Sequence, residues 1–144
     1  MRFWDTSALV PVLIDEPATP AARSSLAEDR SVVVWWGTSV ECMAAAARAA
    51  RDGRLDPGRL AGLVRDLGEW RADWIEVGPT APLRLVAKRL VRTHPLRSAD
   101  ALQLAAAIAA AEGSPTTLPF VTRDSRLAEA ASLEGFPVLR LDRP

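Results

Sequence analysis

Four acids carry the chemistry this sequence could do. Asp5 interrupts an apolar opening, "MRFWDTSALV", and is followed at once by Thr6 and Ser7. Glu41 lies in "TSVECMAAAARAARDG", Asp100 in "SADALQLAAAIAAAEG" and Asp124 in "PFVTRDSRLAEAASLEG". Each stands at or just inside the start of an expected helix. Each therefore has a purely structural account, because a carboxylate there satisfies free N–H groups and complements the helix dipole by about 0.3–1 kcal/mol. Thr38-x-x-Glu41 has the form of a capping box, and Asp124 can cap a helix beginning at Ser125. Taken together the acids suggest more. Clustered carboxylates repel one another and take up protons unless a cation neutralises them. Hard divalent cations such as Mg²⁺ and Mn²⁺ prefer oxygen ligands. Asp5 is thus expected to be a metal ligand, provided the other acids meet it.

The elements that must bring them together follow from apolar periodicity and punctuation. Residues 2–5 read as a short strand, with a helix from Thr6 or Ser7. "TPAARSSLAEDR" predicts a helix with Thr19 as N-cap and Pro20 at its first position. "SVVVW", from Ser31, is a continuous β-branched run suited to a strand covered on both faces. "TSVECMAAAARAARDG" is a helix closed by Gly53, and "DPGRLAGLVRDLGEW" another, capped by Asp56. "DWIEV" is a strand ended by Gly78. "TAPLRLVAKRLVRT" is a helix stopping before Pro95. "SADALQLAAAIAAAEG" is a long helix with Ser98 as cap and Gly113 past its end. "PFVTRD" is a strand, "SRLAEAASLEG" a helix and "PVLRL" a final strand. Alternating strands and helices predict an α/β sandwich, a mostly parallel sheet of about five strands with helices on both faces. Ligands bind such sheets beyond the carboxyl ends of the strands, where strand order reverses. Asp5 and Asp124 each close an expected strand, so they are expected to open into one crevice.

At 144 residues, without repeat or linker, the chain reads as one domain over 1–144. Its single cysteine, Cys42, excludes an internal disulfide and fits a reducing compartment. No apolar run reaches the ~18 residues of a membrane span, and the opening is too short for a secretory leader, so the expected location is the cytoplasm. Net charge is zero, which gives no overall pull on nucleic acid. The basic residues are 17 arginines and one lysine, Lys88, a choice that suits bidentate phosphate contacts but equally follows from GC-rich coding.

"WDTSALV", Glu41 in "SVECMAAAARAARDGRL", "HPLRSADALQLAAA" around Asp100 and "FVTRDSRLAEAASLEG" around Asp124 together resemble the four signature segments of the PIN domain, and more narrowly the VapC toxins of VapBC toxin–antitoxin systems. The resemblance runs from residue 2 to about residue 141, with the segments in the family's order. It implies an α/β/α fold and a Mg²⁺- or Mn²⁺-dependent endoribonuclease leaving 5′-phosphate and 3′-hydroxyl ends. Carried over residue by residue, it makes Asp5, Glu41, Asp100 and Asp124 the catalytic, metal-holding acids. Thr6 or Ser7 would be a supporting hydroxyl, as would Thr122, beside their ordinary roles at strand ends and caps. Gln103 departs from the pattern, since many relatives have His there. The resemblance also implies RNA as substrate, a homodimer, and a VapB-like antitoxin. The antitoxin's apolar segment would lie on the helix face from Arg59 to Trp70, unless that face packs on the protein's own core or in the dimer.

Other residues are read with two roles open. Arg97 and Arg123 each adjoin a site acid and would contact the RNA backbone or pair with that acid. His94, before Pro95, reads as a loop residue, because imidazole suits softer metals. Trp4, Trp35 and Trp74 read as core, and Trp36 and Trp70 as candidates for an interface. Two competing functions remain. One is a PIN-like module that binds RNA or a partner without cutting, against which the presence of all four acids argues. The other is a phosphotransferase with Asp5 as nucleophile, against which Ser7 stands where a second acid is needed and Lys88 lies in a helix away from the site.

Overall fold

The computed structural model describes residues 1–141. Five short strands form one sheet: β1 (Arg2–Trp4), β2 (Val32–Trp35), β3 (Ile75–Val77), β4 (Phe120–Thr122) and β5 (Val138–Arg140). All neighbouring pairs are parallel, in the order β3-β2-β1-β4-β5. The chain builds outward from β1 to β2 and β3, then returns to β1's other side for β4 and β5. The order therefore reverses between β1 and β4, as an acid-lined crevice requires.

Seven helices cover the sheet: α1 (Thr6–Leu13), α2 (Thr19–Glu28), α3 (Thr38–Arg51), α4 (Pro57–Arg71), α5 (Ala81–Thr93), α6 (Ser98–Ala110) and α7 (Ser125–Leu133). Successive strand side chains point to opposite faces, so each strand feeds two cores. Phe3, Val33 and Phe120 pack under α5, α6 and α7, with Phe3 and Phe120 stacked at 5.2 Å. Trp4, Val32, Val34 and Val121 pack under α1 to α4, with Ala8, Ala22, Cys42 and Leu67. Central helix α6 is almost wholly apolar, and its small alanines let it lie close to the sheet. Among the described residues no helix is long and apolar enough to cross a membrane.

The caps differ from expectation at three helices. Thr19, Thr38 and Ser98 are the first helical residues, and the N-caps are Ala18, Gly37 and Arg97, none with a side-chain capping bond. Long-range bonds win over the local ones. Thr19 Oγ1 donates to the carbonyl of Pro11 at 2.6 Å, and Thr38 Oγ1 accepts from Gln103 at 3.2 Å. Asp56 and Asp124 do cap their helices, through Gly58 N–H at 2.6 Å and Leu127 N–H at 2.8 Å. Gly53 and Gly113 follow α3 and α6 with φ of 73° and 83°, a conformation open to glycine at little cost.

Candidate active site

Each acid owes its place to a turn at the carboxyl edge of the sheet. Asp5 follows β1 and is the N-cap of α1. Its carboxyl is buried, 5% exposed, and Oδ2 accepts from Ser7 Oγ at 2.5 Å, Thr122 Oγ1 at 2.8 Å and Ser7 N–H at 3.3 Å. Asp124 follows β4, the neighbouring strand, and its N–H donates to Thr122 Oγ1 at 3.0 Å. Ser7 Oγ in turn accepts from Arg123 N–H at 2.9 Å. Ser7 and Thr122 are thus the hydroxyls that lace the ends of β1 and β4 together.

Glu41 and Asp100 reach the same edge from the first turns of α3 and α6. Glu41 Oε2 accepts from Thr6 Oγ1 at 2.9 Å and Gln103 Nε2 at 3.3 Å. The capping box expected of Glu41 is absent, because the carboxylate is turned toward α1 and α6 instead.

Electrostatics link the four acids in a row. Burial pushes Asp5 up to about 6 despite its hydroxyl partners, and Glu41 adds to the rise. Burial also raises Glu41, with Asp100 contributing. Asp100 is raised by burial and then by Asp124, against the pull of Arg97 and Arg126. Cys42, beside the row, is pushed up to about 12 by burial and by Glu41 and Asp5, so it is no nucleophile at neutral pH. Each acid feels the next, from β1 through α3 and α6 to the end of β4. No closed metal-binding group exists among the described residues, where no three His, Cys, Asp or Glu side chains are gathered to hold an ion. The carboxylates instead lean on hydroxyl and amide donors. An all-oxygen donor set whose members disfavour one another's ionisation suits a hard divalent cation that keeps part of its water shell.

The remaining candidates fall into place around this row. Arg123 has the charge-partner role, but its partner is Glu16, at 2.6 Å, rather than the adjacent Asp124. Arg97 and Arg126 are exposed beside Asp100. His94 caps the end of α5 and meets Glu134 at 2.8 Å, where Arg89 also binds Glu134 at 2.8 and 2.9 Å, so it serves the α5–α7 contact. Trp4, Trp35 and Trp74 are buried. Trp36 is 54% exposed, and Trp70 packs edge-on against Trp74 at 5.0 Å. Sequence reasoning missed Glu16 and Arg126, and it read Gln103 only as a departure from the family pattern and Thr38 only as a cap, without their bonds around Glu41. Gln103 alone carried a signal, as a lone amide one helical turn after Asp100 on an otherwise alanine-lined face.

The fold and the site together define an α/β protein with four acids at strand ends and helix starts around the switch point of a parallel sheet. The chain belongs to the PIN domain family, whose model matches residues 2–133. It is 34% identical to Ribonuclease VapC45 of Mycobacterium tuberculosis strain CDC 1551 / Oshkosh, over 92% of this chain and 90% of that protein. The same figures hold for Ribonuclease VapC49 of strain H37Rv. Among solved structures, a toxin–antitoxin complex from Klebsiella pneumoniae has a chain that matches with a TM-score of 0.67 at 16% identity, with all of both chains covered. FitAcB from Neisseria gonorrhoeae matches with a TM-score of 0.68 at 16% identity, over 98% of both chains. At that identity these two speak for the fold alone.

Proposed function

We propose that this chain is a divalent-metal-dependent endoribonuclease and the toxin of a toxin–antitoxin pair. The observation that carries this reading is the placement of four acids: Asp5 and Asp124 end the neighbouring strands β1 and β4, where Thr122 bonds to both, and Glu41 and Asp100 lie in the first turns of α3 and α6, with Glu41 bonded to Thr6 of α1 and Gln103 of α6. The ribonuclease names of the mycobacterial relatives support it. Those four residues would hold Mg²⁺ or Mn²⁺. When bound, such an ion supplies the positive charge that lets an acidic crevice accept a phosphodiester, and it makes water a competent nucleophile near neutral pH. The chain's own part is positioning. Ser7 and Thr122 fix Asp5, Thr6 and Gln103 fix Glu41, and the Leu127 amide fixes Asp124. Arg97 and Arg126, exposed beside Asp100, would contact the RNA backbone. Arg123 is not, because Glu16 holds it.

The antitoxin belongs to the same proposal, in keeping with the resemblance of the four acidic segments to those of toxins silenced by a partner protein. Its seat shifts from the expected one. Leu63 and Leu67 of α4 pack into the protein's own core, so the face from Arg59 to Trp70 is largely occupied. What α4 leaves open is a groove against α2, with cavities of about 360 and 260 Å³ that share Leu26 and Trp70. A homodimer is the third element, favoured by the exposure of Trp36 and Val40 at the start of α3.

The test is cleavage of a single-stranded RNA with Mg²⁺ or Mn²⁺, with and without chelator, by the wild type and Asp100→Asn. Cleavage is expected only for the wild type with metal. Equal cleavage in chelator, or by Asp100→Asn, ends the metal-nuclease reading. Metal-independent RNA binding without cleavage would favour the non-cutting module.

A further inference from the structure

Gln103 is 1% exposed in the alanine-rich helix α6, among Ala101, Leu104 and Ala105, all fully buried. An apolar side chain is the ordinary occupant of such a place, because a buried polar group costs free energy unless it is hydrogen-bonded. The amide instead joins three elements. Nε2 lies 2.8 Å from Thr6 Oγ1 of α1, 3.2 Å from Thr38 Oγ1 of α3 and 3.3 Å from Glu41 Oε2. Thr6 Oγ1 in turn donates a hydrogen bond to the same Glu41 oxygen at 2.9 Å. At the amide's other end, Oε1 is buried and has no donor among the described residues. A buried acceptor left unpaired costs stability. Turning the amide over would place Oε1 between two hydroxyls, but it would also set an acceptor against the Glu41 carboxylate. The orientation adopted leaves one acceptor unpaired so that the amide N–H groups and the Thr6 hydroxyl face Glu41.

We infer that Gln103 is a positioning residue that holds the Glu41 carboxylate for metal binding, anchored by Thr38 and acting directly and through Thr6. The inference rests on the nuclease reading, in which Glu41 is a metal ligand. Gln103 itself touches neither metal nor substrate. The relay has a direction, amide N–H to Thr6 hydroxyl to carboxylate, and such a relay strengthens as each bond polarises the next. Thr38, fully buried and bonded to Gln103, is the anchor that can be removed without touching an acid.

The experiment measures Mn²⁺ affinity by titration calorimetry on wild type, Gln103→Leu, Thr38→Val and the double variant, beside RNA cleavage and thermal melting. Gln103→Leu should weaken Mn²⁺ binding by about 10–100-fold, the range for residues that orient a metal ligand. Thr38→Val, isosteric and still folded, should weaken it less. The double variant should bind no more weakly than Gln103→Leu, because the anchor has nothing left to hold. Wild-type affinity in Gln103→Leu overturns the inference, as does a Thr38→Val loss that adds in full to the Gln103→Leu loss. If Gln103→Leu does not fold, unchanged affinity in Thr38→Val overturns it. A wild type that binds Mn²⁺ and cuts RNA while both variants bind normally refutes this inference alone. A wild type that binds Mn²⁺ through Gln103 but cuts no RNA refutes the nuclease reading alone. No Mn²⁺ binding by the wild type refutes both.

Discussion

Asp5 is held in a state a lone carboxylate resists. Burial raises it from an ordinary 3.8 to about 6, although three donors meet its Oδ2. The folded protein therefore holds that proton more tightly than the unfolded chain does. The stability this lends is present below about pH 4 and is lost as pH rises through about 6. Glu41 and Asp100, also raised, act in the same sense. Glu134 acts oppositely, since Arg89 and His94 lower it to about 2, so its stabilisation fades only as pH falls below the ordinary carboxylate range. Asp5→Asn removes the charge and keeps an oxygen to accept from Ser7 and Thr122. The step from 3.8 to about 6 corresponds to roughly 3 kcal/mol at pH 7, of which the imperfect amide replacement returns a part. Melted without metal at pH 7.5, Asp5→Asn should gain about 5 °C over wild type, and the gap should close toward pH 4. The same protein should lose more than about 100-fold in RNA cleavage, beyond what changes to supporting residues cost. A variant less stable at pH 7.5 and equally active would mean that Asp5 is only a helix cap.

The element that places Glu41 depends on a contact no local pattern announces. Gly37 caps α3, and a Cβ there would lie 2.6 Å from Trp35 Nε1 and 3.1 Å from its Cδ1. Trp35 is 7% exposed and belongs to the buried core beneath α5 and α6, so the indole has little room to give way. Gly37→Ala should therefore destabilise by about 1–3 kcal/mol, the usual cost of overpacking, and move the start of α3 with Glu41 on it. Denaturant unfolding and Mn²⁺ titration of the variant check both effects, and unchanged values in the two would show that Trp35 yields freely. Sequence reasoning failed elsewhere, where the deciding partner lies away from the local element. Strand and helix order were legible because apolar runs and Gly and Pro punctuation are local. The acids were legible because each sits at an element boundary. The caps at Thr19 and Thr38 were misassigned because partners outside the helix, Pro11 and Gln103, outcompete the local bond. Glu16 and the bonding role of Gln103 stayed hidden for the same reason, since their partners Arg123 and Thr6 lie 107 and 97 residues away.

At the scale of the whole molecule, the acid row draws on both helical layers. Glu41 stands on α3 in one layer, Asp100 and Asp124 belong to α6 and α7 in the other, and Asp5 closes the central strand between them. Mutual repulsion among these carboxylates works against closure of the two layers over the edge of the sheet, and a divalent cation held by them would tie the layers together. Binding to the folded state alone raises stability by mass action, about 2.7 kcal/mol at a hundredfold excess over Kd. That gain must depend on pH, because the ion competes with protons. With Asp5 titrating at about 6, the carboxyl is about one-tenth ionised at pH 5 and almost fully ionised at pH 7.5. Apparent Mn²⁺ affinity should therefore fall about tenfold between pH 7.5 and pH 5 from Asp5 alone, roughly 1.4 kcal/mol of lost stabilisation, and further if the raised Glu41 and Asp100 also give up protons on binding. Scanning calorimetry with saturating Mn²⁺ should show a melting temperature raised markedly at pH 7.5 and several degrees less at pH 5. In Asp5→Asn, both the rise and its pH dependence should shrink together. An equal rise at the two pH values would place the bound ion away from Asp5, and no rise at either would leave the two layers without a metal bridge.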